Sequence, residues 1–219
     1  VDFLKKMLDA NEKKQIWLNN MHLYTVPLPN VSQVQEFATW RRIRVLNLDR
    51  NELHNLPVEL CVLDELEVLS VEHNLLTTVT PTLMQLSRLQ VLAVGNNKIQ
   101  SLPQSLKKLI QLEELLLETN SLTSVPIMLP SLISLTDLRF DNNRVASLPP
   151  EMANLQMLQI LSFQNNVVDS IPPSFTSLHR LAFLRCGSNK IADVRSRAVS
   201  RQFFSLTFCL SRFTWTCVV

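Results

Sequence analysis

The chain has 219 residues, 46% of them hydrophobic and 18% charged, so it can bury a substantial core and is not a disordered polar chain. The net charge of +2 is uneven, because Arg195, Arg197, Arg201 and Arg212 fall in the stretch 195–219, which holds no acid, and the stretch 1–194 carries −2. That balance gives no basis for nucleic-acid binding, and with only two glycines, Gly95 and Gly187, a glycine-rich phosphate loop is excluded.

In chain order, the start at Val1-Asp2-Phe3 has neither an initiator Met nor a signal-peptide pattern, which reads as a fragment or a trimmed chain. Phe3, Leu4, Met7 and Leu8 recur at helical spacing among Lys5, Lys6, Asp9 and Glu12. The spacing predicts an amphipathic helix over 1–12, which either caps a stack of repeats or leads in from an upstream domain. The stretch 13–42 forms an irregular first repeat, longer than those that follow, in which Ile16, Leu18, Leu23 and Val26-Pro27 fit the later register and Met21 stands where an asparagine is expected. One glycosylation sequon, Asn30-Val31-Ser32, falls inside it and carries little weight.

From Ile43 the chain repeats at a constant step, through Leu66, Leu89, Leu112, Leu135, Leu158 and Leu181. Three places after each comes Leu46, Leu69, Leu92, Leu115, Leu138, Leu161 or Leu184. Five after each comes Leu48, Val71, Val94, Leu117, Phe140, Phe163 or Cys186. Eight after each comes Asn51, Asn74, Asn97, Asn120, Asn143, Asn166 or Asn189. An aliphatic-proline step follows at Leu56-Pro57, Leu102-Pro103, Val125-Pro126, Leu148-Pro149 and Ile171-Pro172, and is broken at Val79-Thr80 and Val194-Arg195. The remaining stretch, 195–219, contains no further repeat. It crowds Phe203, Phe204, Phe208, Phe213 and Trp215 beside Cys209 and Cys217, and Arg212 interrupts an apolar run too short to span a membrane well. This tail reads either as a truncated or mis-spliced end of a longer solenoid or as a membrane-touching segment.

Alternation in the LxL core predicts short strands with leucines on one face, paired in parallel between successive turns. No strand buries its leucines alone, so stability must come from neighbouring repeats. The outer segments carry a second apolar pair at i, i+3 (Leu60/Leu63, Leu83/Leu86, Leu106/Leu109, Leu129/Leu132, Met152/Leu155, Phe175/Leu178), which predicts helical or 3₁₀ turns on the convex side. The pattern LxxLxLxxNxLxxLP over 13–194 resembles the leucine-rich-repeat family, and its 23-residue LP form is similar to the intracellular Ras-interacting scaffolds. The resemblance implies an α/β solenoid, a curved horseshoe with a parallel sheet on its concave face. It also implies a ladder of the seven asparagines, each bonding backbone groups of adjacent turns.

The side chains expected on the concave face form rows. The third residues of the repeats are Val45, Val68, Val91, Glu114, Asp137, Ile160 and Phe183; the fifth are Asn47, Ser70, Ala93, Leu116, Arg139, Ser162 and Arg185; the seventh are Asp49, Glu72, Gly95, Glu118, Asp141, Gln164 and Gly187. Apolar residues cluster early and late on the third row, and acids gather at Glu114, Glu118, Asp137 and Asp141 around Arg139. Exposed apolar area rimmed by charge marks an interaction surface. The partner-binding candidates are therefore Val45, Asp49, Val68, Glu72, Val91, Glu114, Leu116, Glu118, Asp137, Arg139, Asp141, Ile160, Phe183 and Arg185. Phe183, Arg139 and Arg185 are the expected hot spots.

His22, His54, His73 and His179 occupy unrelated positions and compose no nucleophile-base-acid arrangement. Cys61, Cys186, Cys209 and Cys217 make no CxxC pair or metal-ligand cluster, so neither a cofactor nor a disulfide framework is expected, and a reducing, cytoplasmic setting is favoured. The expectation is a non-catalytic scaffold or adaptor. The resemblance implies a Ras-type small GTPase or a protein phosphatase catalytic subunit as partner. The alternative is the recognition segment of a larger kinase, phosphatase, adenylyl cyclase or receptor.

Overall fold

The computed structural model describes residues 14–28 and 40–191. The helix expected over 1–12, the sequon at 30–32 and the tail 195–219 lie outside the described residues. Eight three-residue strands, β1 Gln15–Trp17, β2 Val45–Asn47, β3 Val68–Ser70, β4 Val91–Ala93, β5 Glu114–Leu116, β6 Asp137–Arg139, β7 Ile160–Ser162 and β8 Phe183–Arg185, form one open parallel sheet in chain order. The pairing register repeats the sequence period: Val45 faces Val68, Val68 faces Val91, and so on to Phe183. The irregular first unit joins in register, with Ile16 opposite Leu46, so its extra length is accommodated between β1 and β2. The result is a leucine-rich-repeat solenoid with the sheet on its concave side.

Each turn buries the leucines at the first, fourth and sixth positions behind the sheet, and those of the outer segment against them. In the turn that begins at Leu66, Leu66, Leu69, Val71 and Leu76 are fully buried, as are Leu83 and Leu86 in its outer segment. These side chains form one apolar core running the length of the stack. Phe140 and Phe163 occupy successive sixth positions and stack with ring centroids 5.7 Å apart. Burial of each leucine contributes about 1.5–3 kcal/mol, and contacts with neighbouring turns are needed to complete it.

The outer segments are 3₁₀ helices, η1 Val58–Val62, η2 Pro81–Gln85, η3 Gln104–Lys108, η4 Leu129–Ser131, η5 Pro150–Asn154 and η6 Pro173–Ser177. Their i, i+3 apolar pairs explain the choice: with a period of three, both members point the same way, into the core. Pro57 caps η1 with φ −67°, and Leu63 N–H closes the turn on the Leu60 carbonyl at 3.1 Å. Where the proline step is broken, Thr80 takes the cap, and its hydroxyl donates to the Leu56 carbonyl of the preceding turn at 2.8 Å.

Candidate functional site

The asparagine ladder is built from all seven positions that the register marked. In Asn143, Nδ2 donates to the Leu117 carbonyl of the preceding turn at 3.0 Å and to Phe140 and Asp141 of its own turn at 3.0 and 3.2 Å. Its Oδ1 accepts from Leu122 N–H at 2.9 Å. Asn51, Asn74, Asn97, Asn120, Asn166 and Asn189 repeat the scheme, each donating to the sixth-position carbonyl of the turn before. Asn51 receives both Met21 N–H and Leu23 N–H, at 3.0 Å each, so the missing asparagine at Met21 leaves the second turn's rung intact.

The residue before each asparagine is left-handed. Arg50, His73, Asn96, Thr119, Asn142, Asn165 and Ser188 all have φ between 52° and 55°. This bend aims the next amide back into the stack. It costs a non-glycine residue about 1–2 kcal/mol, least for asparagine. The sequence carried a signal for it in Asn96, Asn142 and Asn165, which the periodicity of the leucines overshadowed.

The fourth residue of each repeat faces the core, so the third, fifth and seventh face away from it. Val45, Val68, Val91, Leu116 and Ile160 are half-buried on this face, and Glu114 and Arg185 are exposed. Phe183 is 45% exposed at one end. At the other end the face continues into β1, where Trp17 is 59% exposed in the fifth-position row. Sequence reasoning missed Trp17, because the rows were counted from Ile43. The core positions Ile16 and Leu18 on either side of it already placed it facing outward.

The acids divide into two kinds. Asp49 Oδ1 accepts from the Ser70 hydroxyl at 2.6 Å and from Glu72 N–H at 2.7 Å, stapling one turn to the next. Asp141 Oδ1 does the same with the Ser162 hydroxyl at 2.7 Å and with Gln164 N–H. Asp137 is buried and held in a two-point pair by Arg139, whose Nε and Nη2 donate at 2.9 and 2.6 Å. These three aspartates are thus engaged inside the chain, and Arg139 is committed to one of them.

Glu72 and Glu118 differ. The serine that serves Asp49 and Asp141 is replaced by Ala93 in the turn after Glu72, and by Arg139, turned toward Asp137, in the turn after Glu118. Glu118 Oε2 is buried without a donor. Between the two glutamates lies Gly95, where a Cβ would come within 2.9 Å of Glu72 Oε1 and 3.5 Å of Glu118 Oε2. Burial pushes the Glu118 carboxyl up to about 7, with Asp141 and Glu72 adding to the rise and its own backbone N–H and Arg139 opposing it. Burial and the neighbouring Asp49 raise Glu72 as well.

Among the described residues no group of three or more metal-ligating side chains converges, and no helix is long and apolar enough to cross a membrane. His22 lies against Glu52 at 3.1 Å and His54 against the Glu52 carbonyl at 3.1 Å, both histidines exposed. Cys186 fills a core position, as its place in the sixth-position row implies.

The leucine rich repeat family matches residues 64–122. No curated protein matches the sequence. Among solved structures, a Leptospira interrogans leucine-rich-repeat protein is 30% identical with a TM-score of 0.73, over 80% of this chain and 44% of that one. The leucine-rich-repeat ectodomain of the Arabidopsis thaliana membrane receptor kinase GASSHO1/SCHENGEN3, solved in complex with Casparian strip integrity factor 2, is 26% identical with a TM-score of 0.72, over 84% of this chain and 22% of that one. The functional domain of InlJ from Listeria monocytogenes, which includes a cysteine ladder, shares the fold at 20% identity and a TM-score of 0.67, over 88% of this chain and 39% of that one. The chain therefore spans less than half the length of each of these structures.

Proposed function

Proceeding from a leucine-rich-repeat solenoid, we propose that this chain is a non-catalytic scaffold or adaptor that holds a signalling protein against its concave face. Leucine-rich-repeat domains generally mediate protein–protein interaction. The observation that carries the reading is the make-up of the exposed sheet face. A half-exposed apolar row, Val45, Val68 and Val91, runs beside the carboxylates of Glu72, Glu114 and Glu118, and large aromatics stand at both ends, Trp17 and Phe183. Such a face suits a partner with apolar anchors and a basic rim. Eight strands at a spacing of about 4.8 Å make it wide enough for an interface of about 800 Å² per partner. The rigid stack holds these side chains in place, which limits the ordering cost of binding.

The partner classes the repeat type suggests are a Ras-type small GTPase and a protein phosphatase catalytic subunit. A reducing, cytoplasmic setting fits Cys61, a half-buried thiol that forms no disulfide among the described residues. Titration calorimetry of each candidate against the wild-type chain and against Val68→Arg with Leu116→Arg tests the reading. Binding that falls more than about tenfold in the double variant, and weakens with salt, is expected. Failure of both classes to bind overturns the choice of partner, and equal binding by the two chains overturns the choice of face.

A second reading is that the chain is the recognition segment of a larger signalling enzyme or receptor. The likeness to a receptor-kinase ectodomain of which it spans 22% favours it. The full gene decides this, through the presence or absence of a kinase, phosphatase or cyclase motif beside the repeats.

A further inference from the structure

We propose that Glu72 and Glu118, facing one another over Gly95, act as a carboxylic acid–carboxylate pair that switches the charge at the centre of the concave face with pH. The geometry follows from three residues, Ala93, Gly95 and Arg139. At the seventh position of a turn, an aspartate followed by a serine in the next turn is stapled, as Asp49 and Asp141 are. Beside Glu72 and Glu118 the place of that serine is held by Ala93 and by Arg139. Gly95, the seventh residue of the turn between them, carries no side chain to separate them, and both carboxylates lean over it, within 3.5 Å of where its Cβ would stand. One of these oxygens, Glu118 Oε2, is fully buried without a donor. An ionised carboxylate is poorly served in such a place, and a proton gives it the donor it lacks.

The surrounding groups do not relieve the pair. From the β2 side, Glu72 meets Asp49, which raises it, and Arg50, which lowers it; His73, next to Glu72 in its own turn, also lowers it, and both Arg50 and His73 stand exposed. On the β4 side, Ala93, Gly95 and Asn96 are not titratable. From the β6 side, Glu118 meets Asp141, which raises it, and Arg139, whose guanidinium is spent on Asp137. Glu114, on β5 itself, is exposed and adds a third negative charge to the face. With the Glu118 carboxyl pushed up to about 7, the switch falls in the physiological range. The titration belongs to the free chain. Its consequence for binding rests on the proposed function: the hold on a basic partner tightens as the proton leaves.

The test is a carboxyl ¹³C NMR titration of the full chain labelled at glutamate, from pH 4 to pH 9, with Glu118→Gln to identify the resonance. One side-chain carboxyl should titrate near neutrality and vanish from the spectrum of that variant. Glu72→Gln should move the Glu118 midpoint down by roughly half a pH unit or more, because a like charge has been removed. A Glu118 midpoint in the ordinary range between 4 and 5 would overturn the proposal. So would a raised midpoint that Glu72→Gln leaves in place, since burial alone would then be acting. These outcomes require no partner, so they are independent of whether the concave face binds a GTPase, a phosphatase or neither.

Discussion

Asn143→Ala is the sharpest test of what holds the solenoid together, because the consequences of losing this one side chain can be followed atom by atom. The Leu117 carbonyl keeps the bond from Asn120, the Phe140 carbonyl keeps the bond from Asn166, and the Asp141 carbonyl keeps the bond from Thr119 N–H. One group is orphaned, Leu122 N–H, in a buried position where Asn143 Oδ1 was its acceptor. A buried amide without a partner costs about 1–3 kcal/mol, and the three shared bonds add about 1 kcal/mol more, giving a loss of about 2–4 kcal/mol. Asn143→Asp separates the two contributions. It keeps the acceptor for Leu122 but sets a carboxylate against three carbonyl oxygens, so it should destabilise at pH 7 and recover in acid as the carboxyl is protonated. Equilibrium urea unfolding followed by circular dichroism measures both variants. A loss of less than about 0.5 kcal/mol for Asn143→Ala, or an Asn143→Asp chain as stable as wild type at pH 7, would refute the ladder as a main source of cohesion.

Three further outcomes are expected from the same measurement. Thr119 is a β-branched residue at φ 52°, so Thr119→Asn should stabilise the fold by about 0.5–1 kcal/mol by relieving strain. Asp141→Ala breaks the staple to Ser162 and Gln164 and should cost about 1–2 kcal/mol, whereas Glu114→Ala, on an exposed side chain, should stay within about 0.5 kcal/mol. The Glu118 carboxyl is raised in the folded chain, so its contribution to stability is full below its ordinary value of 4.5 and is lost as the pH rises through about 7. Glu118→Gln should therefore match wild type near pH 4 and exceed it at pH 8, by about 1–2 kcal/mol given the group's partial exposure to solvent.

The scaffold was legible because its determinants repeat. A leucine at a constant step, read with the asparagine eight places later, locates each strand, each rung of the ladder and each 3₁₀ pair, and the observed register matches residue for residue from Val45 to Phe183. The surface was less legible, for a physical reason. Whether an acid faces a partner or its own chain depends on a residue in the next turn, far along the chain, which is invisible to a reading along one strand. Asp49 and Asp141 look like Glu72 and Glu118 until Ser70 and Ser162 are set beside Ala93 and Arg139. Asp137 and Arg139, counted as two surface charges, cancel one another. The acidic middle expected from four residues is thus carried by Glu72, Glu114 and Glu118. Charge reversal at Asp141 would disturb the sheet as well as the surface.

Binding through the concave face is tested most directly by comparative affinity capture, with the captured proteins quantified for three chains of matched stability. These are the wild type, the concave variant Val68→Arg with Leu116→Arg, and the outer-face variant Ile127→Arg, at a site 83% exposed. Capture of a defined set of proteins by the wild type and by Ile127→Arg, with more than about tenfold depletion from the concave variant, is the expected result. Equal capture by all three chains, or depletion by Ile127→Arg instead, would contradict a concave binding site.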